Sequence, residues 1–144
     1  MAILEDDLEQ AVLQELRLIG YETVYGPEIS MDGEAPERES YETVILEDRL
    51  MQALRRLNPE RSQAALRDAA RSLQMESGTL LEKNRRFHSF LISGIPVREQ
   101  DKVSGEVTDC RCRLIDFSNP ENNDFLAVNQ FTVQNGSVVK RPDI

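Results

Sequence analysis

Gly94-Ile95-Pro96-Val97, followed by Val107-Thr108-Asp109-Cys110-Arg111-Cys112-Arg113-Leu114-Ile115-Asp116-Phe117, marks a change in hydrophobic pattern. The apolar period falls there from about 3.6 residues to about 2, from helical to extended. Ile95 and Val97 open the extended region. Val107, Cys110, Cys112, Leu114, Ile115 and Phe117, with Arg111, Arg113 and Asp116 between them, predict one long strand. Residues 118–124 are dense in turn formers and lead to a second strand over 125–133. Asn135-Gly136, a strong hairpin signal, returns the chain into Ser137-Val138-Val139-Lys140. The last third therefore predicts an antiparallel sheet.

On the amino-terminal side the period is helical. Leu4, Leu8, Val12, Leu16 and Ile19, with Ala11 beside them, form an amphipathic stripe that Gly20 ends. Residues 21–25 alternate as a short strand before Gly26-Pro27, and the acidic run 28–40, with Gly33 and Pro36, reads as an exposed loop. Three helices follow. Leu46, Leu50, Leu54 and Leu57 carry the first, and Asn58-Pro59 predicts an N-cap and first turn for the second, which continues through Ala64, Ala65, Leu66, Ala69, Ala70 and Leu73. Thr79 and Glu82 form a capping box for the third, and Gly94 suits its C-terminal cap. Helices followed by strands predict an α+β fold, one domain over 1–144, with 45–93 as a helical insertion.

The 144 residues hold 17 Lys and Arg against 26 Asp and Glu, a formal charge of −9, and 40% are hydrophobic. That is enough apolar material for a core, but the charge excludes tight, independent, charge-driven binding to a phosphate backbone. There is no apolar run of roughly 18 residues, the length a membrane span needs. The acidic start lacks the basic region of a signal peptide, so a cytoplasmic location is expected. Cys110 and Cys112 share one strand face and lack the partners of a zinc site, which predicts reduced thiols.

Residues 114–125, then Val128-Asn129-Gln130-Phe131-Thr132-Val133, then Arg141-Pro142-Asp143-Ile144, resemble the N-terminal nuclease domain of type I restriction endonuclease R subunits. Glu5-Asp6-Asp7-Leu8-Glu9 with Leu18-Ile19-Gly20-Tyr21 resembles that family's opening helix, and Leu46-Glu47-Asp48-Arg49-Leu50 its next one. The resemblance implies a restriction-endonuclease-like core of the PD-(D/E)xK type. In that core an Asp after Pro, and then an acidic-x-Lys trio, hold Mg²⁺ against a scissile phosphate. Asp143 matches the Asp, and Glu9 of the opening helix, with Glu5 beside it, matches the first-helix acid.

The acidic-x-Lys has no counterpart before Ile144, and no phosphate-loop motif of an ATPase occurs. The sequence is thus expected to be the amino-terminal piece of a larger subunit, truncated after the first catalytic Asp and inactive by itself. ATP would be used only by motor domains outside it. The implied partners are DNA, the remaining domains of the R subunit, and the methyltransferase and specificity subunits of a restriction complex. A non-catalytic DNA-binding or protein-binding assembly module is the alternative.

Each candidate residue also has an ordinary structural role open to it. Glu5 and Glu9 suit a helix N-terminus through the macrodipole, and Asp143 suits a turn. Asp116 is expected to cap the turn after it, and His88 to be a plain helix residue. One of Asn129 and Gln130 faces inward, needs partners and is expected to brace the sheet beside the site, and Gln130 is carried as a further site candidate. Arg55, Arg56, Arg61, Arg67, Arg71, Lys83, Arg85 and Arg86 decorate the middle helices as a surface for DNA or for another part of the full subunit, or as solvated cationic faces.

Overall fold

A computed structural model describes residues 5–144, so Leu4 of the first stripe lies outside the described residues. The fold is α+β, with four α-helices, small two-stranded sheets and one short 3₁₀ turn among the described residues. The chain forms two compact units, one made of the residues up to Leu46 together with Asp124–Ile144, the other of Glu47–Asn123.

The first unit opens with α1 (Glu5–Leu18), whose first turn holds Glu5, Asp6 and Asp7 and whose last turn holds Arg17. These charges oppose the helix dipole. Gly20, at φ +99, closes the helix, with Gly20 N–H bonded to Arg17 O and Tyr21 N–H to Leu16 O. The inward face differs from the predicted stripe. Leu13 is buried and Glu9 and Leu16 are half-buried, whereas Leu8, Val12 and Ile19 are exposed. Glu9, Leu13 and Leu16 follow the same helical spacing on a face turned by one residue.

β1 (Glu22–Tyr25) pairs in parallel with β4 (Leu126–Asn129), Val24 opposite Val128 and Tyr25 opposite Asn129. This corrects the expectation of a wholly antiparallel last third. The strand expected over 125–133 is also interrupted: β4 ends at Asn129, Gln130 has φ +55, and the chain resumes as β5 (Val133–Asn135). β5 forms the predicted hairpin with β6 (Val138–Lys140) through Gly136 at φ +58. The loop after Gly26 has no regular structure, yet Ile29, Ser30 and Arg38 are buried within it. It is therefore not the fully exposed loop its acidic composition predicted.

The second unit packs α3 (Gln63–Leu73) on the antiparallel pair β2 (Ile95–Gln100) and β3 (Val107–Cys112), with α2 (Glu47–Leu57) against α3. Leu54, Ala65, Leu66, Ala69, Ala70, Ile95, Val97 and Cys112 make its core. The alanines of α3 allow the close approach their size predicted. α4 (Leu80–Ser93) has the predicted capping box, and Gly94 caps its other end.

Two boundaries differ from the sequence reading. The N-cap of α3 is Ser62, whose side chain accepts from Ala65 N–H, and Asn58 stands outside the helix. Asn58 is only 2% exposed and spends its amide on backbone, donating to Leu54 O and Arg113 O and accepting from Arg113 N–H. Those bonds occupy the backbone of Arg113, so the ladder of β3 stops at Cys112 and residues 113–117 leave the sheet.

Candidate functional site

The parallel pairing of β1 with β4 brings the end of β4 against Gly26. Gly26 N–H donates to Asn129 O at 2.8 Å. A Cβ at Gly26 would stand 2.6 Å from Gln130 O and 2.7 Å from Asn129 O, so only glycine fits this approach. Asn129, in register with Tyr25, and Gln130 just past it turn their side-chain amides toward α1.

There they meet Glu9. Asn129 Nδ2 donates to Glu9 Oε1 at 2.6 Å, and Gln130 Nε2 donates to Glu9 Oε2 at 2.7 Å. Both carboxylate oxygens are thus held by neutral amides, which fixes the carboxylate without cancelling its charge. Gln130 also reaches the last residues of the chain. Its Nε2 lies 3.4 Å from Asp143 Oδ1, and its backbone N–H donates to Asp143 O at 3.1 Å. Glu9, Gln130 and Asp143, singled out from the sequence, therefore meet around one side-chain amide. Asn129, buried at 6% exposure, completes the group; its sequence signal was the alternation with Val128 and Phe131.

Glu5, one turn before Glu9, is exposed and bonded to none of these groups. Asp116 belongs to the other unit and has a structural role. Its Oδ1 accepts from Ser118 N–H and Asn119 N–H and its Oδ2 from Asn122 Nδ2. Those bonds, with Arg113 nearby, hold its carboxyl below the usual range. This is the turn cap its sequence suggested. Cys110 and Cys112 are free thiols, half-buried and buried.

Several cations of the middle helices are engaged locally. Arg61 pairs with Glu60 and Glu99, Arg71 with Asp68 and Lys83 with Glu76. Arg86 donates to the carbonyls of Met75 and Ser77, and Arg56 to that of Asn122. Arg61, Arg71 and Lys83 are thus paired with acids inside the unit, whereas Arg56 and Arg86, bonded to neutral carbonyls, keep their charge. No helix among the described residues is long and apolar enough to cross a membrane.

The donors gathered at Glu9 and Asp143 are carboxylate oxygens, the ligand type of hard divalent cations. Mg²⁺ ordinarily takes one or two protein carboxylates and completes its shell with water and substrate phosphate. This pair fits that share of a site. No group of three His, Cys, Asp or Glu suited to a metal is present among the described residues.

Comparison with known proteins adds the family. Residues 2–144 match the family described as the type I restriction enzyme R protein N terminus. The chain is 33% identical over 142 residues, 97% of its length, to the type I restriction enzyme HindI endonuclease subunit of Haemophilus influenzae. It is 32% identical over 142 residues, 95% of its length, to a protein of Methanocaldococcus jannaschii named as a type I restriction enzyme MjaIXP endonuclease subunit. No solved structure shows a significant match. The chain spans 13% of the length of either relative. With a match over residues 2–144, the chain belongs to the family of type I restriction enzyme R protein N termini.

Proposed function

We propose that this chain supplies the amino-terminal part of a Mg²⁺-dependent DNA endonuclease centre, built on a restriction-endonuclease-like core, in the R subunit of a type I restriction complex. The observation that carries the reading is the convergence of Glu9 and Asp143 on Gln130 Nε2. These are the two acids that the family resemblance selects, and they come from opposite ends of the chain.

In this reading Glu9 and Asp143 are the protein's carboxylate ligands to the cation. Asn129 and Gln130 orient Glu9, and Gly26 lets the backbone carrying those amides approach β1. The chemistry supplied by a bound Mg²⁺ is charge stabilisation on the scissile phosphate and a lowered pKa for the attacking water. Asp143 is exposed and so open to substrate, whereas Glu9 is half-buried. Such a site also needs an acidic-x-Lys, which residues 1–144 do not contain, and in this reading they do not cut DNA by themselves. ATP-driven translocation belongs to other domains, DNA sequence choice to a specificity subunit, and the complex works in the cytoplasm.

The test is cleavage of DNA by the intact restriction complex carrying Asp143→Ala or Glu9→Ala, with Mg²⁺ binding followed by calorimetry. Loss of both cleavage and a Mg²⁺ equivalent is expected. Wild-type cleavage by Asp143→Ala would instead support a non-catalytic assembly module.

A further inference from the structure

Gln130 joins the two acids from a backbone conformation that disfavours it. A φ of +55 is left-handed, which for a residue other than glycine persists only where its surroundings enforce it. Two restraints are described above, the bond to Asp143 O and the seating of Gly26 against the Gln130 carbonyl. A third comes from the loop between β1 and α2.

Arg38 of that loop is 4% exposed. Its guanidinium carbon lies 3.8 Å from the ring centroid of Phe131, the residue after Gln130, and 5.2 Å from that of Tyr41. Nη2 donates to Ser30 Oγ at 3.2 Å, and Ser30 Oγ donates to Gly26 O at 2.9 Å. Nη1 reaches Thr43 O at 3.4 Å, and Nε has no partner among the described residues. A guanidinium buried among aromatic rings and neutral acceptors is a costly arrangement, and burial lowers its pKa from the ordinary value. Its two firm links run to the residues that flank the acid cluster: Phe131 beside Gln130, and Gly26 beneath it.

We propose that Arg38 is a positioning residue. It clamps Phe131 from one side and the Ser30–Gly26 relay from the other, holding Gln130 in its left-handed conformation with its amide between Glu9 and Asp143. The planar guanidinium is what the geometry requires, since it stacks on a ring and donates in its own plane together. A lysine ammonium, a point charge without a plane, cannot stack on the ring while donating from the same group to Ser30 and Thr43. The inference rests on reading Glu9 and Asp143 as the site, but its test needs neither metal nor DNA.

The experiment follows the Gln130 side-chain amide by ¹⁵N NMR in the metal-free 144-residue chain. Arg38→Met is expected to accelerate solvent exchange of that amide about tenfold, the scale set by losing one or two hydrogen bonds. Arg38→Lys should fail to restore it. Phe131→Leu, which keeps apolar bulk without the ring face, should move the same signal in the same direction. If Arg38→Met lowers the melting temperature while the Gln130 exchange rate stays within about twofold, Arg38 only supports the loop and the proposal is overturned. If Arg38→Met does not fold, Phe131→Leu and Ser30→Ala decide, and an unmoved amide in both overturns it. A wild-type chain that shows the protected amide but, within the intact subunit, binds no Mg²⁺ would remove the cation-site reading and leave the clamp standing.

Discussion

Glu9 and Gln130 stand 121 positions apart in the chain and meet at 2.7 Å, the amide of one donating to the carboxylate of the other. This contact ties α1 to the end of β4, and Asn129 Nδ2 doubles it at 2.6 Å. Glu9 therefore has a folding role that is separable from any role toward a cation.

Glu9→Ala strips the acceptor from two amides, one of them on buried Asn129. An unpaired buried donor costs about 1–3 kcal/mol, so urea denaturation should show a loss in that range. Glu9→Gln retains one acceptor oxygen and should lose less. Equal losses for the two substitutions would mean that the hydrogen bonds do not contribute.

Gly26→Ala tests the close approach directly. The added methyl would stand 2.6 Å from Gln130 O and 2.7 Å from Asn129 O, both backbone atoms that have no side-chain freedom to yield. Overpacking of this kind costs typically about 1–3 kcal/mol. The resonances of Asn129 and Gln130 should shift with it. A stable Gly26→Ala chain with unmoved resonances at these positions would show that β4 seats differently.

How much of this was legible in advance follows from what local pattern encodes. The capping box of α4, the end of α1 at Gly20 and the Asn135-Gly136 hairpin depend on neighbours within a few residues, and all three appear as read. The inward face of α1 does not, because Leu8, Val12 and Ile19 satisfy the helical period as well as Leu13 and Leu16 do. Only the tertiary partner chooses between the two faces. The parallel pairing of β1 with β4 joins segments about a hundred residues apart, and no period records such a partner. Glu9 and Asp143 are legible through the family resemblance, and Gln130 through its alternation, with Asn129, against Val128 and Phe131. Arg38 was hidden by the acidic run around it, since composition says nothing about which single cation turns inward.

Asn58 is a position where the sequence pointed to the wrong role, and it gives a sharp prediction. Its amide serves Leu54 O, Arg113 O and Arg113 N–H, all in place of helix capping. Asn58→Ala leaves the Arg113 backbone without its Asn58 partners in a part-buried setting and should cost about 2–3 kcal/mol. Ser62→Ala removes a true N-cap and should cost about 1 kcal/mol. The opposite order in thermal or urea unfolding would restore Asn58 as the cap.

Acid unfolding should report the second unit. The Ser62 N–H, bonded at 2.5 Å and followed by the Ser62 and Arg61 side chains, holds Glu99 below the usual carboxylate range. Asn122, Asn119 and Ser118 do the same for Asp116. A carboxyl depressed in the folded state adds stability above its unfolded pKa, and that stability is lost as pH falls through the folded value. Stability should therefore hold at neutral pH and decline below about pH 4, the ordinary carboxylate range. Asp116→Asn should lower stability at pH 7 and flatten that decline. An acid limb as steep as that of wild type would remove Asp116 from it.

The thiols make the converse prediction at high pH. Burial pushes the Cys112 thiol up to about 11, and burial raises that of Cys110 as well. A thiol kept neutral in the fold while the unfolded chain ionises gives stability that is full below about pH 8.5 and erodes as pH rises toward the folded value. Since the thiolate is the reactive form, a pKa of 11 leaves about one thiol in a thousand reactive at pH 8. Native protein at pH 8 should thus react slowly with an aromatic disulfide reagent at Cys112, at a rate set by opening of the core around Ala65 and Ile95. The same protein in urea should react at both cysteines at once. Rapid native labelling of Cys112 in a Cys110→Ser chain would show that β3 is not packed beneath α3.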